Sequence, residues 1–273
     1  MTINCKRMLL NLDEPKIMGI LNVTPDSFFD GGNYLSEDHI IQKVNSMEYH
    51  GAKIIDVGGY SSRPNAVHIS EEEELKRILP IIALIKSNFP DLLISIDTFR
   101  SKVAEMSIKA GADIINDISG GNMDTNMFRC IANLKVPYVL MHMQGTPKTM
   151  QENPTYHNVV KEVNQFFTEK VNQLTQLGVK DIILDPGFGF GKTLEHNYQL
   201  LNQLGRFKTF NLPILVGFSR KSMINKVIET TPEEALNGTT VLNTIALMKG
   251  ANILRVHDVK EANELIKLVT QLN

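Results

Sequence analysis

Short aliphatic runs recur along the chain, and each closes on a polar residue. Eight are legible: IMGILN ending at Asn22, KIIDVGG carrying Asp56, LLISID ending at Asp97, ADIIND carrying Asn116, PYVLMH ending at His142, KDIILD ending at Asp185, PILVGFS ending at Ser219 and NILRVHD carrying Arg255. Runs of this length, rich in Ile, Val and Leu and bounded by Gly, Pro or polar residues, predict buried strands. Four of them share a longer pattern, in HGAKIIDVGG, KAGADIINDISGG, LGVKDIILDPGFG and KGANILRVHDV. There a glycine able to end a helix in the left-handed conformation precedes a small residue and then the run. Between the strands the period changes to that of a helix. Ile40, Ile41, Val44 and Met47 form a stripe over 39–49, and Val159, Val163, Phe166, Phe167, Val171, Leu174 and Leu177 form a broad face over 158–177. Ser70 to Glu73 reads as a capping box opening a helix that Pro80 is expected to kink.

Alternating strands and helices imply right-handed crossovers and a parallel sheet. Eight such units of about 30 residues each predict a single α/β domain, a closed (β/α)8 TIM barrel spanning 1–273, with residues 1–15 preceding the first barrel strand. An open doubly wound sheet is the alternative, but nothing at mid-chain marks a topological break. The barrel has a consequence for chemistry. Asn22, Asp56, Asp97, Asn116, His142, Asp185, Ser219 and Arg255 would all gather at the C-terminal face, where such barrels place their active sites.

Composition narrows the partners. The chain has 273 residues, a formal charge of −2 and scattered rather than clustered basic residues, which argues against nucleic acid. Cys5 and Cys130 form no framework of pairs, which suits a reducing compartment. The opening MTINCKRMLLNLDEP lacks a signal-peptide core, and no apolar run reaches the roughly 20 residues of a membrane span. A soluble, cytoplasmic protein with no membrane partner is expected.

Several polar groups could carry chemistry. Asp97, Asn116 and Asp185 would enter the barrel mouth from aliphatic strands, where an unpaired carboxylate costs several kcal/mol. Two carboxylates and an amide suit a flat heterocycle bearing adjacent N–H donors. Arg255 and His257 share one strand face, close to the loops that often bind phosphate in barrels. GFSRKSM adds Ser219, Arg220, Lys221 and Ser222; Arg220 reads as a solvated or structural cation, and Lys221 as a less favoured Schiff-base nucleophile whose surroundings are not obviously apolar. The run DPGFGFGKT approaches a phosphate-binding P-loop but has Pro186 where that pattern needs glycine. His142 has no partner at ligand spacing and reads as a satisfied core or rim histidine, and no Cys/His cluster points to zinc. A hard ion such as Mg²⁺ is compatible with Asn22 and substrate phosphates.

Taken in order, GILNVTPDSFFDGG, DVGGYSSRP, SIDTFRSKVAE, GADIINDISGG, MHMQGTP, LDPGFGFGKT, GFSRKSM and LRVHDV closely resemble the dihydropteroate synthase family across residues 19 to 258. The resemblance implies a (β/α)8 barrel, usually a homodimer, that is a transferase of folate synthesis. Such enzymes join 6-hydroxymethyl-7,8-dihydropterin diphosphate to 4-aminobenzoate, giving 7,8-dihydropteroate and diphosphate. It implies that Asp97, Asn116, Asp185 and Lys221 hold the pterin, with Met141 and Phe190 near the ring. Asn22 would meet Mg²⁺ and the diphosphate; Arg255, His257, Ser61, Ser62 and Arg63 would form the anion clamp. Phe28, Arg63, Pro64, Phe190, Lys221 and Ser222 would wall the aminobenzoate pocket, and Asp30 would sit near the reacting centre. The catalytic set so implied is Asp30, Asp97, Lys221, Arg255 and His257. NVTPDSFFDGG then reads as a lid whose Phe28 covers an aromatic substrate, with Asp26 and Asp30 fixing the loop and Gly31 and Gly32 letting it fold.

Departures from the family pattern are Phe29 for the common Ser, Tyr60 for Glu, Ser62 for Thr and Asn65 for Gly. They bear on the lid and on the binding of aminobenzoate or its sulfonamide-type analogues. Two rivals remain: a methyltransferase passing a methyl group from a reduced folate to a corrinoid, and a non-catalytic pterin-binding paralogue. The former has no need of the SRKS and RVHD segments, and the latter could dispense with Lys221 or Arg255.

Overall fold

The computed structural model describes residues 1–23, 37–61 and 68–272. Eight parallel strands form its sheet: β3 (Lys16–Asn22), β4 (Ile54–Gly58), β5 (Leu93–Asp97), β6 (Ile114–Asp117), β7 (Tyr138–Met141), β8 (Ile182–Asp185), β9 (Leu215–Val216) and β10 (Ile253–Val256), in the spatial order 8-7-6-5-4-3-10-9. A parallel bridge between Leu184 and Ile214 joins the ends of that order, with the Leu184 amide donating to the Pro213 carbonyl at 2.8 Å. The sheet is therefore closed, and the molecule is the expected (β/α)8 barrel. Helices α1 (Glu37–Tyr49), α2 (Glu71–Asn88), α3 (Ser101–Lys109), α4 (Met127–Leu134), α5 (Val159–Gln176), α6 (Leu194–Asn202), α7 (Ser222–Ile228), α8 (Leu236–Met248) and α9 (Val259–Thr270) surround it.

Two local expectations change. Ser70 accepts the Glu73 amide at 3.2 Å, but the reciprocal half of the capping box is absent because the Glu73 carboxylate takes Arg77 at 2.8 Å instead. Helix α2 runs through Pro80 without interruption. Asn158 caps α5 as its side chain suggests, accepting the Lys161 amide at 3.0 Å.

The period of two along each strand sorts side chains into layers. Met18, Ile54, Leu93, Ile114, Val139, Ile183, Leu215 and Ile253, one from each barrel strand, form the lowest inward layer. The first residues complete it. Strands β1 (Thr2–Asn4) and β2 (Leu9–Asn11) pair antiparallel, and their Ile3 and Leu10, with Cys5 and Leu12, pack onto that layer as a floor. Arg7 pins this hairpin to Asp113 through bonds of 2.8 and 3.1 Å. With the bottom sealed by hydrocarbon, polar groups two and four residues further along the strands open only at the other end. The outward positions, Ile17, Leu21, Ile55, Val57, Ile94, Ile96, Ile115, Tyr138, Leu140 and Leu184 among them, pack against the helices.

Candidate active site

Two residues above the floor layer come Asp56, Asn116, Met141, Asp185 and Arg255; one step higher lie Asn22 and Asp97. The register converts eight separate strand ends into one cup. At its centre Arg255 bonds two carboxylates, donating from Nε to Asp56 at 2.7 Å and from Nη2 to Asp97 at 2.9 Å. Asn116 donates to the same Asp56 oxygen at 3.0 Å. Asp56 is fully buried, and its other oxygen, Oδ1, has no hydrogen-bond partner among the described residues. Sequence reasoning placed Asp56 at this face but gave it no role; it links the amide expected under the ring to the cation expected at the diphosphate.

The electrostatics follow from one guanidinium shared by two anions. Burial raises Asp97 to about 7, the Arg255 charge opposing and Asp56 adding to the rise. Burial works against the charge on Arg255 as well, but Asp56 and Asp97 outweigh it and its pKa is raised. Asp185 is also raised by burial, against the pull of Lys221 and of the Gly187 amide that Oδ1 accepts at 2.8 Å. Lys221 is lowered to about 8 by burial, with Asp185 opposing. Its ammonium donates to the Phe188 carbonyl and lies 4.8 Å from the Phe190 ring centroid, so its surroundings are more apolar than its sequence neighbours suggested.

His257 and Ser219 meet beside Arg255. The Ser219 hydroxyl lies 3.0 Å from His257 Nδ1 and accepts the His257 amide at 3.2 Å. Burial, helped by Arg255, lowers His257 to about 4. His257 is nonetheless exposed at the rim, and with Arg255 beside it the neutral imidazole is favoured, leaving an N–H to offer a ligand. Arg220 is structural, as its sequence reading has it: it bonds both oxygens of Asp258 at 3.0 and 2.8 Å and the carbonyls of Pro232 and Glu233.

Around the cup Phe99, Ile118, Met141, Met143 and Met150 form a buried apolar cluster, with Tyr60 and Phe190 packed on it. Tyr60 meets Phe99 edge-on at 5.1 Å, and the Arg100 guanidinium sits 5.1 Å from Phe99 and 5.6 Å from Tyr60. Arg100 is itself paired with the buried Glu74. The phenol at 60 is thus held by aromatic and cation–π contacts where a carboxylate would pair with Arg100 directly. Sequence reasoning missed Phe99, Met143 and Met150; only their apolar character after strand ends could have pointed to them.

His142 departs from the expected gathering at the mouth. Met141 points inward, so its neighbour points outward, where His142 is buried against Lys192 and Phe166. Ser61 is half-buried three residues past β4, and Ser222 is exposed as the first residue of α7. Phe28, Asp30, Ser62, Arg63 and Pro64, with the lid reading of NVTPDSFFDGG, lie outside the described residues.

The run DPGFGFGK owes its glycines to close packing. Gly187, Gly189 and Gly191 have φ of 70°, 82° and 58°, which favours glycine. A Cβ at Gly187 would overlap the His142 carbonyl, and one at Gly191 the Gln144 carbonyl. Gly187→Ala is expected to displace this loop, costing about 2–4 kcal/mol in stability by thermal denaturation and disturbing Asp185, which binds the Gly187 amide.

A hard cation has a reasonable seat. Asn22 Oδ1 is a neutral oxygen donor, and Gly58 leaves the space before it open: a Cβ there would stand 3.4 Å from Asn22 Oδ1 and 3.8 Å from Asp97 Oδ2. Among the described residues there is no group of three His, Cys, Asp or Glu able to hold a metal. The donors fit an oxygen-loving ion whose remaining ligands come from substrate phosphates and water.

Comparison with known proteins gives this cup a context. A model of the pterin binding enzyme family matches residues 18–257. The dihydropteroate synthase of Escherichia coli K12 is 49% identical over 262 residues, 95% of this chain and 92% of the relative. A Yersinia pestis dihydropteroate synthase solved with a sulfonamide drug superposes with a TM-score of 0.94 at 42% identity, covering 100% of this chain and 99% of that one. The Xanthomonas albilineans enzyme in complex with 7,8-dihydropteroate gives 0.89 at 33% identity, covering 100% and 98%. Likeness of this extent, along the chain and in three dimensions, is that of common descent, and the chain belongs to the pterin-binding enzymes as a member of the dihydropteroate synthase family.

Proposed function

We infer that the chain condenses 6-hydroxymethyl-7,8-dihydropterin diphosphate with 4-aminobenzoate, releasing 7,8-dihydropteroate and diphosphate. The observation that carries this reading is the meeting of Asp97, Asn116, Asp185 and Lys221 with Arg255 and His257 around one mouth. A flat, donor-rich ring and its departing phosphates need both sets within one substrate length.

Asp97, Asn116 and Asp185 accept hydrogen bonds from the pterin, and Lys221 donates to it. When the CH2–O bond breaks, the electron pair leaves with diphosphate and the pterin takes on positive charge. The carboxylates of Asp97 and Asp185 beside the ring favour that cation. Arg255 and the His257 N–H meet the growing negative charge on the leaving group, and Ser61 lies within the same rim. The aminobenzoate amine attacks the carbon and gives up a proton to solvent or to the released diphosphate; it needs placement more than a strong base. Phe190, Lys221 and Ser222 line the approach, and Phe28, Arg63 and Pro64 complete it in this reading, with Met141 near the pterin ring, Ser62 and Arg63 in the anion clamp and Asp30 near the reacting centre. Asn22 would hold Mg²⁺, which when bound supplies neutralisation of diphosphate charge.

We read the whole chain as one domain in a cytoplasmic homodimer. Among the described residues no helix is long and apolar enough to cross a membrane. Val241 and Met248 on α8 and Leu268 on α9 are exposed apolar residues on neighbouring helices, a surface suited to self-association that analytical ultracentrifugation would test.

Purified protein mixed with the pterin diphosphate, 4-aminobenzoate and Mg²⁺ should yield dihydropteroate and diphosphate without a corrinoid. Tight pterin binding with no product would favour a non-catalytic paralogue instead. Asp185→Asn should weaken pterin binding by about 1–3 kcal/mol through loss of charge-assisted bonds; unchanged calorimetric affinity would remove Asp185 from the pterin floor.

A further inference from the structure

Behind the cup lies a charged group that the reaction above does not use. Lys192 is only 4% exposed, and its ammonium has four acceptors within hydrogen-bond reach. They are the Gly187 and Phe190 carbonyls, both at 2.9 Å, the His142 carbonyl at 3.2 Å and His142 Nδ1 at 3.0 Å. Two of these groups belong to the loop after β8 and two to the residue that follows β7. A lysine that served only to fill space would not be buried on four polar partners, because an ammonium leaves water at a cost of several kcal/mol unless it is bonded all round.

The loop held this way is the one that presents the pterin site. Its Gly187 amide bonds Asp185, its Phe188 carbonyl takes the Lys221 ammonium, and its Phe190 ring lies under that ammonium. Asn197 supports the same loop from α6, accepting the Gly189 amide at 2.7 Å and donating to the Thr193 carbonyl at 2.7 Å. A backbone with three glycines in the left-handed region has little stiffness of its own, so its shape must come from outside bonds.

We propose that Lys192 is a positioning residue for the pterin half of the site: its ammonium ties the 187–190 loop to His142 and so sets Asp185, Lys221 and Phe190 at their working distances. The proposal rests on the pterin reading of the cup. The groups that face Lys192 fit it. Burial, with Lys221 adding to it, brings the Lys192 ammonium down to about 7, and Asp185 opposes that fall. His142, held well below its ordinary value by burial and then by Lys192, stays neutral and free to accept at Nδ1. Tyr156 closes the far side, its hydroxyl donating to the Gly191 carbonyl at 2.7 Å and its ring edge-on to His196.

The test separates the two halves of the cup. Lys192→Met keeps length and volume but removes the donors. By calorimetry it should bind a diphosphate-free pterin about tenfold or more weakly than the parent, while affinity for inorganic diphosphate, held by Arg255 and His257, changes less than about twofold. Equal weakening of both ligands would mean a merely structural lysine, and no weakening of either would also overturn the proposal. If the parent protein binds no pterin, it is the function assigned to the cup that fails, before Lys192 is in question. Should the variant not fold, nitrogen NMR on the parent decides: the His142 ring must carry its proton on Nε2, leaving Nδ1 to accept from Lys192. A proton on Nδ1 would remove the bond and the proposal with it.

Discussion

Arg255→Ala is expected to be the most damaging single change in the cup, in stability and in rate together. The guanidinium is the partner shared by Asp56 and Asp97, and Asp56 is fully buried. Removing it strands two carboxylates in a low-dielectric site, which costs about 3–5 kcal/mol at pH 8. The sign of the pH dependence follows from Asp97. Its folded pKa already lies above its ordinary 3.8, and loss of the cation raises it further. The folded variant then holds a proton that the unfolded chain does not, so stability recovers as pH falls from 8 towards 5. Chemical denaturation at both values checks this. A loss that is the same at pH 5 and pH 8 would show that the two carboxylates do not depend on Arg255. The rate consequence is separate. In the proposed reading Arg255 meets the departing diphosphate in the transition state, and losing one such donor typically lowers kcat about 10²–10³-fold. Binding of a pterin that lacks the diphosphate should suffer much less. Equal losses would argue against a leaving-group role.

The second large effect is a pH profile. In the function proposed above, Asp97 accepts from the pterin only as a carboxylate, and burial raises its pKa to about 7. In the same reading Lys221 donates as an ammonium, and burial has lowered it to about 8. The parent kcat/KM should therefore rise with pH up to about 7 and fall above it, the alkaline limb reporting loss of the ammonium charge on Lys192, near 7, and then on Lys221, near 8. Asp97→Asn should lower kcat/KM at its optimum about 30–150-fold, equivalent to 2–3 kcal/mol of lost charge stabilisation, and should abolish the acid limb while leaving the alkaline one. The same substitution has an opposite effect on stability. A carboxyl raised in the folded state contributes stability at pH below its unfolded value, and this is lost as pH rises through about 7. Relative to the parent, the variant should gain stability between pH 5 and pH 8. An acid limb that persists in Asp97→Asn would assign it to another group.

Such effects arise because function here opposes stability. Water alone would have placed Asp56, Asp97 and Asp185 on the surface; the barrel instead buries them beside Arg255, Lys221 and Lys192, and burial still raises Asp97 and Asp185. In the proposed reading a ring with several donors that becomes cationic during reaction relieves that cost. A site built this way is destabilised when empty, and the sealed hydrocarbon floor beneath it, from Ile3 and Leu10 to Ile253, offsets the cost.

Much of this was legible in the chain. Eight aliphatic runs, alternating with helix-period segments, require a parallel sheet wrapped by helices, because both faces of each strand are apolar and must be covered. Since side chains alternate along a strand, Arg255 and His257 had to share a face, and Asp97 and Asp185, closing Ile- and Leu-rich strands, had to lie near the mouth. Residue chemistry likewise pointed to an acidic pocket for a flat, donor-rich ring.

What only the tertiary structure decided is who pairs with whom. Arg255 and Asp56 stand 199 positions apart, and their bond depends on β10 and β4 flanking β3 in register. The same holds for Lys192 beneath the 187–190 loop and for the hairpin that became a floor rather than a loose segment. His142 ends its run as Asp97 and Asp185 end theirs, yet one residue of register turns it away from the cup. Local pattern specifies elements and their buried faces through interactions a few residues long. Closure of the barrel fixes distances between residues far apart in sequence, and with them the burial and charge sharing that set the pKa of Asp97 and Lys221.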